Sequence, residues 1–213
     1  MSDVPGLRER KKRRTHLAIS EAAIALFLEH GFDQVSVTQV AEAAEVSRRT
    51  LFAYFPTKED LVVHRFADHE GEAARVVRGR PPGTGPLEAL RAHHLDALDR
   101  HDPMTGLNDR PDILALYRML AGTPALVGRL ERFKAASEAA LAEALRDTAG
   151  VPPLTARLAA VQIVAVQWAL ALDNREHMVN GMPAHERLPA ALGDTEHAFT
   201  LLKNGLGALT GDS

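Results

Sequence analysis

Residues 35–61 read VSVTQVAEAAEVSRRTLFAYFPTKEDL. Ser36 followed by Gln39 is a capping box, which satisfies two of the free amide groups at a helix start. It predicts a short helix ending near Ala44. Glu45 and Val46 make a tight turn, Ser47 caps a second short helix over 48–55, and Pro56 ends it. Two short helices joined by a tight turn have the layout of a helix-turn-helix, with the motif at about 36–55. Thr57-Lys58-Glu59-Asp60 is a second box-like start, opening a longer helix to about Arg78.

Helical periodicity continues on both sides of this stretch. Upstream, apolar residues from Leu17 to Leu28 form a wide face of a helix over 13–30, which Gly31 stops. Downstream, Arg80 to Pro86 is a proline- and glycine-rich break. Helices are expected at about 86–100, 111–121, 124–148, 153–174 and 186–209, with 173–189 as a longer loop or a frayed helix end. The total is about nine helices with no strand pattern, an all-α fold. The expected division is a basic N-terminal arm (1–12), a helix-turn-helix domain (13–73) and a helical body (74–213).

The two terminal helices carry heptad seams. Leu154, Leu158, Val161, Ala165, Trp168 and Leu172 form one; Leu188, Leu192, Thr195, Phe199, Leu202, Leu206 and Leu209 form the other. The first helix is also apolar on its other side, through Ile163, Val164 and Val166, so it needs cover all round. A homodimer through a four-helix bundle meets that need; packing of both seams inside one chain is the alternative.

Length and composition are those of a globular chain: 213 residues, 46% apolar and 25% charged. There is no cysteine, which excludes disulfides, thiol catalysis and cysteine-bound metal. The N-terminus lacks the apolar core of a secretory signal. The longest apolar stretch, Leu158–Leu172, is short for a membrane span. The expectation is a cytoplasmic protein with no membrane association. Net charge is −3, but residues 7–16 carry six Lys or Arg against one Glu. Residues 1–58 sum to +2 and the rest to −5, a basic head on an acidic body. A solvated basic tail would produce the same numbers.

Arg48 and Arg49 open the second short helix, and Tyr54 closes it. The N-terminal residues of a recognition helix reach base edges in the major groove, where arginine reads guanine through two hydrogen bonds. Leu51, Phe52 and Phe55 form the expected apolar face of that helix.

Residues 13–62 resemble the N-terminal domain of the TetR family of transcriptional regulators. The resemblance is carried by Gly31-Phe32 after the first helix, VSVTQVAEAA, the VS turn, T-L-F-x-Y-F-P and T-K-E-D-L. It implies that Arg48 and Arg49 face bases. It also implies that Thr50, Tyr54 and Lys58 contact phosphates and that Thr38 and Gln39 fix the backbone on the other side. Two positions depart from the family: Glu45 stands where glycine is usual, and Phe52 where tyrosine is frequent. The implied protein is a homodimer that binds a palindromic double-stranded DNA operator, represses transcription and is released by a small molecule. Activation in place of repression is an alternative.

The implied effector binds in the body, where Phe66, Tyr117, Phe133, Gln167 and Trp168 are candidate contacts, although plain core packing would account for each aromatic. The 116–145 segment loosely resembles a subgroup with acyl-CoA-like ligands, so the effector class is apolar or acyl-CoA-like. No cofactor and no metal are implied, and His93, His94 and His101 lack a repeated ligand spacing. Neither a phosphate loop nor a nucleophile motif is present, so an enzyme is not expected. A helical interaction module without DNA binding remains the competing reading.

Overall fold

The computed structural model describes residues 7–64 and 69–205. Ten α-helices and no strand occur among the described residues. They are α1 (Leu7–His30), α2 (Val37–Ala43), α3 (Arg48–Tyr54), α4 (Asp60–Val63) and α5 (Glu72–Gly79), then α6 (Pro86–Asp99), α7 (Pro111–Gly122), α8 (Pro124–Ala149), α9 (Pro153–Val179) and α10 (Ala184–Asn204).

Three boundaries differ from expectation. The basic run 8–14 is not a separate arm but part of the first turns of α1, as suits its Arg, Lys and Glu. Residues 1–6 of the expected arm lie outside the described residues. The single helix expected over 58–78 is not continuous, because Gly71 adopts φ +72 before α5 begins. α9 runs on as helix into 173–189 as far as Val179, in line with the helix-end alternative for that segment, because Asn174 and Met178 are buried and hold its last turns.

The chain forms two compact units. One comprises Met1–Ala67 with Met119–Leu130; the other comprises Asp68–Arg118 with Glu131–Ser213. The first therefore takes in a segment from far beyond the expected boundary at residue 73. Its core includes Ile19, Phe27, Val35, Leu51, Phe55 and Leu61, and Leu120 and Leu126 are buried in the same unit.

In the second unit, one cluster joins Val77 of α5, Leu90 of α6, Leu141 and Leu145 of α8, Ala160 and Ile163 of α9 and Phe199 of α10. Another joins Leu98, Leu107, Met178, Ala184 and Ala191. The small residues Ala156 and Ala160 let α9 approach its neighbours closely. A 3-10 turn at Pro103–Thr105 leads into Gly106, which sits against the backbone of α9. Asn174 Nδ2 donates to the Thr105 carbonyl at 3.1 Å. Arg187 is buried and donates to Asn174 Oδ1, Asp173 Oδ2 and Asp194 Oδ2.

The two heptad seams behave differently. On α10, Thr195 and Phe199 are buried in the chain's own interior. Leu206 and Leu209 lie outside the described residues. On α9, Leu154, Leu158, Val161 and Leu172 are 58, 53, 42 and 45% exposed. Ile163 and Val164, on its other side, are buried. The two seams thus divide: Thr195 and Phe199 of the second serve the core, whereas Leu154, Leu158, Val161 and Leu172 of the first face outward and its Trp168 flanks the core. At 27 residues, α9 is also long and apolar enough, by length and composition alone, to cross a membrane. One of its faces is instead packed in the cluster of α5, α6, α8 and α10.

His94 is buried, and its Nε2 has no hydrogen-bond partner among the described residues. Burial first, then the neighbouring His93, push its pKa down to about 4. The neutral ring is therefore favoured in the folded state. Its contribution is complete above the unfolded value of 6.5 and is lost as pH falls toward 4. Against a His94→Leu variant, chemical unfolding should show the wild type losing about 2–3 kcal/mol between about pH 7 and 4.5. Parallel profiles would show that His94 does not titrate in this way.

Candidate nucleic-acid interface

The helix-turn-helix is built by its caps. Ser36 adopts φ −85 and ψ 154, its hydroxyl accepts from the Gln39 amide at 3.2 Å, and its own amide donates to Gln39 Oε1 at 2.8 Å. The Gln39 side chain is therefore spent partly on the cap, while Thr38 is exposed at the start of α2.

Helix α2 ends with Glu45 N–H bonded to the Glu42 carbonyl and Val46 N–H to the Ala41 carbonyl, a Schellman closure. That closure requires a left-handed residue, and Glu45 supplies it at φ 53. An L side chain pays about 1–2 kcal/mol for this conformation relative to glycine. The departure noted at position 45 thus leaves the turn geometry intact at an energetic cost.

Ser47 then caps α3: its hydroxyl accepts from the Thr50 amide at 3.0 Å and lies 2.8 Å from the Thr50 hydroxyl. Leu51 and Phe55 are buried, and the Phe55 ring packs 4.5 Å from His16 and 5.0 Å from His64. These two side chains anchor α3 to α1 and to the end of α4. Arg48 and Arg49 are exposed and form no ion pair among the described residues. Tyr54 is half-buried, with its ring 6.2 Å from His16. Lys11, Lys12 and Arg14 are also exposed, on α1.

Phe52 corrects the expected apolar face. It is 41% exposed, because Leu51 and Phe55 are one turn apart on the inner face while Phe52 is rotated away from them. It shares the outer side of α3 with Arg48, one turn earlier.

Lys58 points inward. Its ammonium donates to the Phe32 carbonyl and lies 4.4 Å from the centre of the Phe32 ring. Burial pushes its pKa below the usual lysine range, partly offset by Asp33 and Glu59. It stands beside the Thr57–Asp60 cap, where Thr57 N–H donates to Asp60 Oδ2 at 3.0 Å and Asp60 N–H to Thr57 Oγ1 at 3.2 Å. Arg129 of α8 donates to the other Asp60 oxygen at 2.7 Å. Sequence spacing signals the cap but gives no sign of the arginine.

The effector candidates occupy different settings. Phe66 lies outside the described residues. Tyr117 is buried and its hydroxyl donates to the Pro103 carbonyl at 2.7 Å; burial raises its pKa above the tyrosine range. Phe133 is buried, Trp168 flanks the larger cluster of the second unit, and Gln167 is half-buried. An open groove of about 650 Å3 between α5 and α6 is lined by Glu72, Arg75, Val76, Thr84, Arg91 and His93 among others, and by none of these four. Glu72 there accepts from His69 at 2.8 Å and lies 3.2 Å from His93. No group of three or more side chains suited to a metal occurs among the described residues.

Comparison with known proteins places this geometry. Residues 19–64 match the family model for bacterial regulatory proteins of the tetR family. The chain is 35% identical over 148 residues to the HTH-type transcriptional regulator TcmR of Streptomyces glaucescens, covering 63% of this chain and 65% of TcmR. It is 28% identical over 194 residues to the HTH-type transcriptional repressor LfrR of Mycolicibacterium smegmatis, covering 88% and 92%. The match spans just under two thirds of the length of TcmR and 37% of KstR of Rhodococcus jostii. In fold, the chain is similar to NalD, the secondary repressor of the MexAB-OprM multidrug efflux pump in Pseudomonas aeruginosa. The TM-score is 0.55 at 22% identity, over 91% of this chain and 97% of NalD. The stretch that carries the capped helix-turn-helix, residues 19–64, thus matches the tetR family of bacterial regulatory proteins, and the likeness of the rest of the chain to NalD is one of fold.

Proposed function

We propose that this chain is a cytoplasmic transcriptional regulator, a repressor that binds a palindromic operator as a homodimer and leaves it when a small molecule binds the second unit. The observation that carries the reading is the pair of unpaired, exposed guanidinium groups of Arg48 and Arg49 at the capped start of α3. Bases are read from such a position, and Thr38, Gln39, Thr50, Tyr54 and Lys58 are the proposed backbone contacts. For Lys58 this requires exchange of the Phe32 carbonyl for a phosphate oxygen. The outward stripe of α9, from Leu154 to Leu172, is the proposed dimer face. It supplies the apolar area that a twofold interface needs. An apolar or acyl-CoA-like effector is proposed, with Tyr117, Phe133, Gln167 and Trp168 as its candidate contacts and no enzymatic turnover.

Selection from a random duplex pool at about 150 mM salt, where non-specific binding is weak, tests the reading. An inverted repeat is the expected product; no enriched sequence would favour an interaction module. On the recovered operator, Arg48→Ala or Arg49→Ala should cost about 1–3 kcal/mol of discrimination at one base position per half-site. Lys58→Ala should weaken all duplexes alike and lower the salt slope by about one. Competition titrations with single-base variants separate the two classes. Equal loss of discrimination in all three variants would refute this division of labour.

A further inference from the structure

The Thr57–Asp60 cap uses only one carboxylate oxygen; the other receives Arg129 Nε at 2.7 Å, from a residue 69 positions further along the chain. The Arg129 and Asp60 side chains are only 27% and 15% exposed. Both belong to the first compact unit. A charge-assisted bond at this depth is screened less than a surface pair and fixes direction as well as distance. Burial alone would raise the Asp60 carboxyl, but the bonds from Arg129 and Thr57 outweigh it and hold the group below the usual carboxylate range. The cap leads directly into the buried Leu61, Val62 and Val63 of α4, and Lys58 lies within it. Recognition by phosphate contacts depends on where such residues are presented, because those contacts set the register of the reading helix.

We propose that Arg129 is a positioning residue for DNA binding: through Asp60 it holds the 57–60 cap in the register from which Lys58 exchanges the Phe32 carbonyl for a phosphate, and it seats the end of α3. This rests on the reading of the chain as a DNA-binding regulator. A direct phosphate contact by Arg129 is the rival explanation for any loss on its removal, and Asp60 separates the two. Loss of a negative charge near DNA should tighten binding by charge arithmetic alone. Under the proposal, Asp60→Asn weakens binding instead, although it can keep the Thr57 cap.

The experiment measures operator affinity and its salt slope for full-length wild type, Arg129→Met, Arg129→Lys, Asp60→Asn and the Asp60→Asn/Arg129→Met double variant. Measurements are made well below each variant's melting temperature, with dimer and helical content verified. Arg129→Met and Asp60→Asn should each lose about tenfold in affinity, with the double variant no worse than either and Arg129→Lys partly restored. The salt slope of Asp60→Asn should fall by about one although no cation has been removed, reporting the loss of Lys58 from a phosphate. Tighter binding by Asp60→Asn, additive losses in the double variant, or wild-type affinity in both single variants would overturn the role of Arg129. Failure of the wild type to select any duplex would instead overturn the regulator reading on which it rests.

Discussion

Gly106→Ala should lower the stability of the chain by about 2–5 kcal/mol, a fall of about 5–20 °C in melting temperature for a protein of this size. Two costs add. Gly106 has φ +74, a conformation that costs an L residue about 1–2 kcal/mol. A Cβ there would also stand 2.0 Å from the Ala171 carbonyl oxygen and 2.9 Å from its carbon. Those atoms are backbone within α9, so relief requires the helix or the loop to shift, at a further cost of about 1–3 kcal/mol. Gly31→Ala is the control, because its φ is +88 but nothing lies within 4 Å of the added carbon. Thermal unfolding followed by circular dichroism should show a small loss for Gly31→Ala and a large one for Gly106→Ala. Equal losses would mean that backbone conformation alone sets the cost and that the loop yields freely.

Leu158→Glu should convert the protein to a monomer at micromolar concentration and reduce affinity for an inverted repeat by at least about a hundredfold. Leu158 is 53% exposed in the centre of the outward stripe of α9. In a twofold interface each substitution occurs twice, so the loss of a buried leucine, about 1.5–3 kcal/mol, is doubled. Desolvation of two carboxylates adds to it. The loss of operator affinity follows because half-sites bound independently forgo the gain of a linked second contact. Sedimentation and operator titration test both parts. A variant of unchanged mass and affinity would exclude this stripe as the dimer face.

Local signals proved the more legible. Ser36 with Gln39, Ser47, and Thr57 with Asp60 mark helix starts through hydrogen bonds spanning three residues, and the structure makes all of them. Position 45 was marked only by the resemblance, as a residue other than the usual glycine, and the structure puts it in the left-handed region. Phe52 was misassigned because apolar character says nothing of azimuth on a helix of only seven residues. The α10 seam has heptad spacing, but the same spacing serves a chain's own core or a second copy. The partner of Asp60 was illegible, because a pairing across 69 residues has no local trace. For the same reason nothing in the sequence foretold that the Tyr117 hydroxyl is spent on the Pro103 carbonyl.

The first compact unit is assembled from two stretches of chain, the second being Met119–Leu130. Recombination between relatives therefore has no clean cut after residue 73. A chimaera that joins this N-terminal head to a foreign body would inherit a stranger's version of 119–130, with Leu120, Leu126 and Arg129 replaced by whatever the donor carries. Grafting the twelve-residue corner together with the head should rescue such hybrids. Where relatives exchange the rest of the chain, the corner is expected to be inherited with the N-terminal head.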